Sequence, residues 1–300
     1  MIFVYCVQQY ECDAYGHVNH ANYLRYMQET AFDASAAAGY DLERYREIRR
    51  AWLVRETDIT YLRPLMYDDQ VIVKTWVLDF RRVRSRRAYE LRHAGSGEIV
   101  AQATTDWVFM NDETERPEMI PQEMIDAFFP DGPPAEVPPR EKFPKAPPAP
   151  PGVFTMRRPV QWSVIDARQH VNNANYMIYF EDAGVQVCAA HGWPMTRMME
   201  AGFGLVARRY RIEYRQPAVF GDELEIATWA SDMKRATAVR HYTIRRAADG
   251  VLLARAHVLC VWVDLESGRP IRVPAASHVL LFGLSGSTSM VETSSENINE

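Results

Sequence analysis

The chain carries one message twice. Asp13-Ala14-Tyr15-Gly16-His17-Val18-Asn19-His20-Ala21-Asn22-Tyr23 returns as Asp166-Ala167-Arg168-Gln169-His170-Val171-Asn172-Asn173-Ala174-Asn175-Tyr176, a shift of 153 positions. The shift persists along the chain: Tyr61 and Pro64 fall on Tyr214 and Pro217, Asp69 on Asp222, Trp76 on Trp229, Tyr89 on Tyr242, Gly97 on Gly250, and Arg116-Pro117 on Arg269-Pro270. A repeat this long is not a solenoid unit that needs neighbours to bury its face; it is a complete module with a core of its own. Anything built from one copy therefore has a second, comparable instance in the other.

Each copy presents its signals in the same order. A short apolar segment (Phe3 to Cys12; Val160 to Ile165) leads into the Asp-containing turn. The period then becomes helical, with Tyr23, Tyr26, Met27, Thr30, Ala31 and Ala34 in copy 1 and Tyr176, Tyr179, Phe180, Ala183 and Val187 in copy 2, ending near Gly39 and Gly192. Strand-like alternation follows at 51–61, 70–81, 86–94 and 98–110, and again at 204–214, 223–233, 238–246 and 252–263. Gly95-Ser96-Gly97 and Asp249-Gly250 mark hairpin turns. One helix followed by an antiparallel meander predicts an α+β layer arrangement, with each sheet wrapped around one long helix. Residues 1–125 and 153–280 are the two expected domains. Between them, 126–152 is a proline-rich, semi-rigid connector, and 281–300, rich in Ser, Thr, Asn and Glu, is expected to be a disordered tail.

Composition narrows the partners. A net charge of −5 argues against nucleic acid, and the Arg81–Arg87 stretch is either a local anion site or a solvated strand face. No apolar run is long enough to span a bilayer, and the opening Ile2–Val7 segment is short and lacks a basic flank, so a cytoplasmic location is expected. Cys6, Cys12, Cys188 and Cys260 form no Cys-x-x-Cys pair and have no histidine at metal-ligand spacing, so they read as small buried residues.

The chemistry gathers at the repeated turn. An Asp at a strand end, followed within a few residues by a helix start at His20-Ala21-Asn22 or Asn173-Ala174-Asn175, sets a carboxylate beside unsatisfied backbone N–H groups and the positive end of a helix. That combination suits acyl transfer, in which a carbonyl oxygen gains negative charge. The alternative is that Asp13 merely caps the turn or helix. Asn19, Asn22, Asn172 and Asn175 read as turn and cap residues. Glu29, Glu181 and Asp182 lie on the helices as further carboxylates or as a polar edge.

The Asp-Ala-Tyr-Gly-His-Val-Asn-His-Ala-Asn-Tyr motif resembles the signature of hotdog-fold thioesterases of the 4-hydroxybenzoyl-CoA thioesterase type. Copy 2 is similar to the catalytic half of acyl-carrier-protein thioesterases, which are tandem hotdogs. The resemblance implies a double hotdog in which the two copies pair within one chain, with sites at their interface. It implies Asp13 and Asp166 as base or nucleophile, with His17 and His170 as catalytic partners or packed turn residues. It also implies substrate contacts at Gly16, Val18, Asn19, His20, Tyr23, Asn172, Asn173 and Tyr176. Two departures stand out: Gln169 replaces the glycine matched by Gly16, and Arg168 replaces an Asn of the carrier-protein enzymes. Arg82, Arg84 and Arg235 are the expected contacts for coenzyme A phosphates. The expected function is acyl-CoA hydrolysis to free acid and coenzyme A, with coenzyme A entering only as part of the substrate, no metal and no redox cofactor. Higher oligomers of the internally paired chain are compatible with this reading. A non-catalytic acyl-CoA-binding protein and a hotdog dehydratase or hydratase are the alternatives, and fold analogy does not choose among them.

Overall fold

The computed structural model describes residues 1–274; the expected tail at 281–300 lies outside them. The first half runs β1 (Ile2–Cys6), α1 (His20–Ala37), α2 (Leu42–Glu47), β2 (Arg50–Tyr61), β3 (Gln70–Arg81), β4 (Arg84–His93), β5 (Ile99–Asn111), β6 (Arg116–Pro117) and α3 (Gln122–Phe128). The second runs β7 (Phe154–Pro159), α4 (Asn173–Ala190), α5 (Met195–Glu200), β8 (Phe203–Tyr214), β9 (Glu223–Ser231), β10 (Thr237–Arg246) and β11 (Leu252–Asp264). The long strands and both long helices follow the expected segments within about two residues, the usual uncertainty of element ends. The short helices α2, α3 and α5 were not evident from periodicity, because six or seven residues give too few turns for a helical period to show.

Each half is an antiparallel sheet around one 18-residue helix, as the alternation predicts. The expected pair of sheets is realised as two halves of one sheet, in the order β1-β3-β4-β5-β2-β8-β11-β10-β9-β7 with β6 on the edge of β5. The junction is the antiparallel pairing of β2 with β8, from Glu56 opposite Glu213 to Thr60 opposite Arg209. Because strand side chains alternate in direction, this junction has two unlike faces. Thr57, Ile59, Tyr210 and Ile212 are buried, with Ile59, Tyr210 and Ile212 joining a core shared by Leu24 and Met27 of α1 and Met177 and Phe180 of α4. Glu56, Asp58, Arg209 and Arg211 face the other way.

That outer face is held by charge and strapped by the connector. Arg209 grips Asp58 through Nε (2.8 Å) and Nη2 (2.6 Å), and Arg211 pairs with Glu56. Arg140 of the connector pairs with both Asp79 and Asp106, and Arg86 donates to the carbonyls of Pro138 and Pro139. Arg211 donates to the carbonyls of Glu141 and Lys142, and the Phe143 ring lies under the Arg255 guanidinium at 4.5 Å. Proline-rich chain has few N–H donors of its own, so its exposed carbonyls are natural acceptors for these arginines. The connector is therefore bound across both halves along its charged residues.

Candidate functional site

The two Asp turns have matching backbones. Asp13 N–H donates to the His17 carbonyl (2.7 Å) and Gly16 N–H to the Asp13 carbonyl (2.9 Å); Asp166 and His170, and Gln169 and Asp166, repeat these bonds at 2.9 Å each. Gly16 has φ 79° and Gln169 has φ 63°, so the glutamine adopts the left-handed conformation that glycine takes freely. A non-glycine residue there costs on the order of 1–2 kcal/mol. The replacement thus leaves the approach to the helix start unchanged, contrary to what the missing glycine suggests.

Both aspartates serve their turns. Asp13 Oδ1 accepts from the N–H of Tyr15 (2.8 Å) and of His17 (3.2 Å), and Asp166 Oδ1 accepts from that of Arg168 (2.9 Å). The capping role is therefore real, and it occupies one oxygen of each carboxylate; Oδ2 has no protein donor among the described residues. His17 and His170 contribute the turn carbonyls just described, and the His17 ring lies against that of Tyr15 at 6.4 Å.

Of the expected substrate contacts, several are committed to architecture. Tyr23 and Tyr176 are buried, and their hydroxyls accept from the backbone N–H of Leu65 (3.2 Å) and Ala218 (2.9 Å) in the proline loops. Burial pushes both phenols well above their usual range, keeping them neutral. Val18 is buried and its N–H donates to the Leu65 carbonyl. Asn19 and Asn172 cap the helices, accepting from Ala21 N–H (3.0 Å) and Ala174 N–H (2.9 Å). The first helical N–H of each, at His20 and Asn173, donates to nothing among the described residues. An N–H at a helix start has no partner within its own helix.

The helices α1 and α4 meet antiparallel, and each start is answered by a side chain from the middle of the other. Asn19 Nδ2 donates to Glu181 Oε2 (2.7 Å), and His20 Nδ1 lies 2.5 Å from Glu181 Oε1. Across the pseudo-twofold, Asn172 Nδ2 donates to Gln28 Oε1 (3.0 Å), with Asn173 where the first half has His20. Arg25 sits between, donating to Asn22 (2.5 Å) and Asn175 (2.9 Å). The His20 ring is walled by Tyr61 (4.4 Å between centroids) and Tyr210 (5.9 Å). The side chains of His20 and Glu181 are 23% and 18% exposed, so water and small reactants reach a pair that is otherwise enclosed. In a neutral imidazole, a carboxylate on Nδ1 favours the proton there and leaves Nε2 as the acceptor.

Glu181 is the candidate residue that sequence reasoning undervalued. The signal was available in the repeat: position 28 of copy 1 is Gln where copy 2 has Glu181, and position 20 is His where copy 2 has Asn173. What the sequence lacks is the antiparallel meeting of the helices that joins the two differences.

The turns also reach across. The Tyr15 ring of the first turn packs on Gly204 of β8, where an added Cβ would stand 3.3 Å from its hydroxyl. Arg168 of the second turn pairs with Asp112 (2.9 Å), at the end of β5, so its guanidinium is drawn out of the turn. The expected phosphate contacts lie elsewhere. Arg82 and Arg235 occupy equivalent hairpin tips and are exposed, whereas Arg84 shares the outer sheet face with Arg86. None of them contacts either Asp turn in the described structure. Within the same run Arg81 pairs with Asp79, and Arg87 is buried inside the first half.

A family profile described as the thioesterase-like superfamily matches residues 7–128 and again 160–280. The chain belongs to the thioesterase-like superfamily. Palmitoyl-acyl carrier protein thioesterase from Cuphea hookeriana is 28% identical over 182 residues, 58% of this chain and 44% of that protein. The chain thus spans about half the length of the curated relatives of this kind that it matches. Among solved structures, the 12:0-ACP thioesterase from Umbellularia californica superposes with a TM-score of 0.68 at 21% identity, covering 87% of this chain and 93% of that one. A Lactobacillus plantarum protein provisionally described as an oleoyl thioesterase gives 0.74 at 20% identity, covering 87% and 95%. These likenesses establish the double hotdog fold.

Proposed function

We propose that the protein hydrolyses an acyl thioester to free acid and thiol, at a single site formed where the start of α1 meets Glu181 of α4. The observation that carries this reading is the His20–Glu181 pair beside an N–H without an acceptor. Glu181 is held by His20 and Asn19 and orients the imidazole. His20 Nε2 takes a proton from water as the water oxygen attacks the thioester carbonyl carbon. The carbonyl oxygen, gaining charge, lies at the positive end of α1, where the His20 N–H is available to it. Collapse breaks the carbon–sulfur bond, and the thiolate recovers the proton from the imidazolium. Asp13 holds the turn through Oδ1 and keeps Oδ2 without a donor among the described residues, and we assign it the positioning of water or substrate.

Coenzyme A is the carrier we assign, with Arg82 and Arg235 at the hairpin tips as phosphate contacts. A carrier-protein thioester is the second reading, favoured by the likeness to plant proteins named for acyl carrier protein. Thiol release from matched acyl-CoA and acyl-carrier-protein substrates, with hydration of enoyl-CoA measured alongside, tests the assignment. Thiol release that disappears in Glu181→Gln supports it; hydration without thiol release, or binding without either, replaces it by the dehydratase or the binding-protein alternative.

A further inference from the structure

The interior of the second half holds hydrogen-bond donors that nothing among the described residues accepts. Arg240 of β10 is 2% exposed, makes no ion pair among the described residues, and its Nη2 has no hydrogen-bond partner. Trp262 is fully buried with Nε1 unpartnered, and the Thr228 hydroxyl is buried and unpartnered as well. Arg240 does reach the Cys260 sulfur, but the thiols of Cys188 and Cys260, both pushed up by burial, supply no countercharge. The first half solves the same problem internally. Arg87, at the position equivalent to Arg240, donates to Thr75 Oγ1 (3.4 Å), and its guanidinium faces the Phe128 ring at 5.7 Å. There the Trp52 Nε1 is also satisfied, by the Tyr45 hydroxyl (2.9 Å).

A buried donor without an acceptor is costly, and an unpaired buried charge more so, unless a ligand supplies the acceptor. The position fits a ligand of the proposed site. Cys188, Ala238 and Trp262 pack in one cluster with Phe203, and Tyr15 of the first Asp turn covers Gly204, the next residue of that strand. Tyr210, which walls His20, lies on β8 and shares one core cluster with Tyr242 and Cys260, the neighbours of Arg240. We propose that the acyl group hydrolysed at the His20–Glu181 site extends into the second half and carries an anionic oxygen, a carboxylate, at its distal end, which Arg240 receives. This deepens the thioester-hydrolase reading and rests on it.

The test compares CoA thioesters in matched pairs of equal carbon number, one ending in a carboxylate and one in a methyl group. For at least one length the wild-type protein is expected to favour the carboxylate by about tenfold or more in kcat/KM, the scale of one charge-assisted hydrogen bond. In Arg240→Met that ratio should fall to one or below, and Arg240→Lys, which keeps charge but not the fork, should retain part of it. Preference for the methyl-ended partner at every length in the wild type overturns the proposal. So does a loss in Arg240→Met that leaves the ratio intact, the mark of a structural role. Binding of free adipate, followed by tryptophan fluorescence, separates the two readings. Saturable binding abolished in Arg240→Met, with no thioester turned over, sinks the hydrolase and keeps the anion site. Turnover of methyl-ended thioesters without adipate binding or carboxylate preference does the reverse.

Discussion

The two helix starts share a backbone and differ in chemistry. At the first, His20 and Asn19 meet a carboxylate, Glu181; at the second, Asn172 meets an amide, Gln28, and Asn173 stands where the first has His20. Both starts make a side-chain hydrogen bond to the other helix, so both stabilise the meeting of α1 and α4. Only the first contains an imidazole and a carboxylate. Duplication thus gave two helix starts with one scaffold and unlike side chains. Two Asp turns lead one to expect two competent sites, Asp13 slightly the stronger; our proposal is instead one working site, at the start of α1.

The strongest way to break this comparison is Glu181→Gln, which converts the first set into the second. We expect kcat to fall by about 10²–10⁴-fold, the usual contribution of a general base, with circular dichroism unchanged. The reciprocal variant, Gln28→Glu with Asn173→His, should restore measurable turnover to a Glu181→Gln background if the second Asp turn is otherwise intact. A Glu181→Gln protein with wild-type kcat would end the assignment.

Next in size is the contrast between the aspartates. Asp13→Asn should lower kcat/KM by about 10²-fold, since water or substrate loses its negative partner, whereas Asp166→Asn should stay within about twofold of wild type. Equal losses, with a double variant near zero, would reinstate two working sites.

A smaller difference separates the halves in acid. His241 is buried in the second half, where the first has Ala88. Burial, then neighbouring His257, lowers its pKa to about 4. The native ring is neutral, while the unfolded one titrates near 6.5. Its contribution is therefore complete above pH 6.5 and is lost as pH falls toward 4. Melting temperature measured across that window should fall, and His241→Gln should flatten the slope; an unchanged slope would mean other groups govern it.

The smallest expected effect is at the hairpin tips. Arg82→Ala and Arg235→Ala should each raise KM for CoA thioesters about threefold while sparing thioesters that lack the nucleotide, consistent with one exposed charge contact apiece. If only Arg82 matters, the coenzyme approaches from one half alone; equal effects on both substrate types remove these arginines from binding.

Much of this architecture was legible in the residues. Period-two alternation placed the long strands because one side of each is buried, and the wide apolar faces around Tyr23 and Tyr176 placed α1 and α4. The Asp turns were legible because a carboxylate beside free N–H groups is a local feature. The short helices escaped for want of length, and the catalytic promise of Glu181 escaped because its partners are on the other helix. Tyr23 and Tyr176, which the motif marks as substrate contacts, are buried and anchor the proline loops, a bond to Leu65 and Ala218 that no spacing reveals.

The sequence by itself determined that there are two modules, where their elements lie, and that each carries an Asp turn running into a helix, since these follow from local pattern and from a repeat of 153 residues. The tertiary structure decided that β2 and β8 fuse the modules into one sheet, that the connector straps its outer face, and that Glu181 of one copy completes the helix start of the other. The division has a physical cause. Period, turn and cap are set by neighbours along the chain, whereas a site formed between antiparallel helices depends on which residues from distant segments come within a few ångströms, and only packing fixes that.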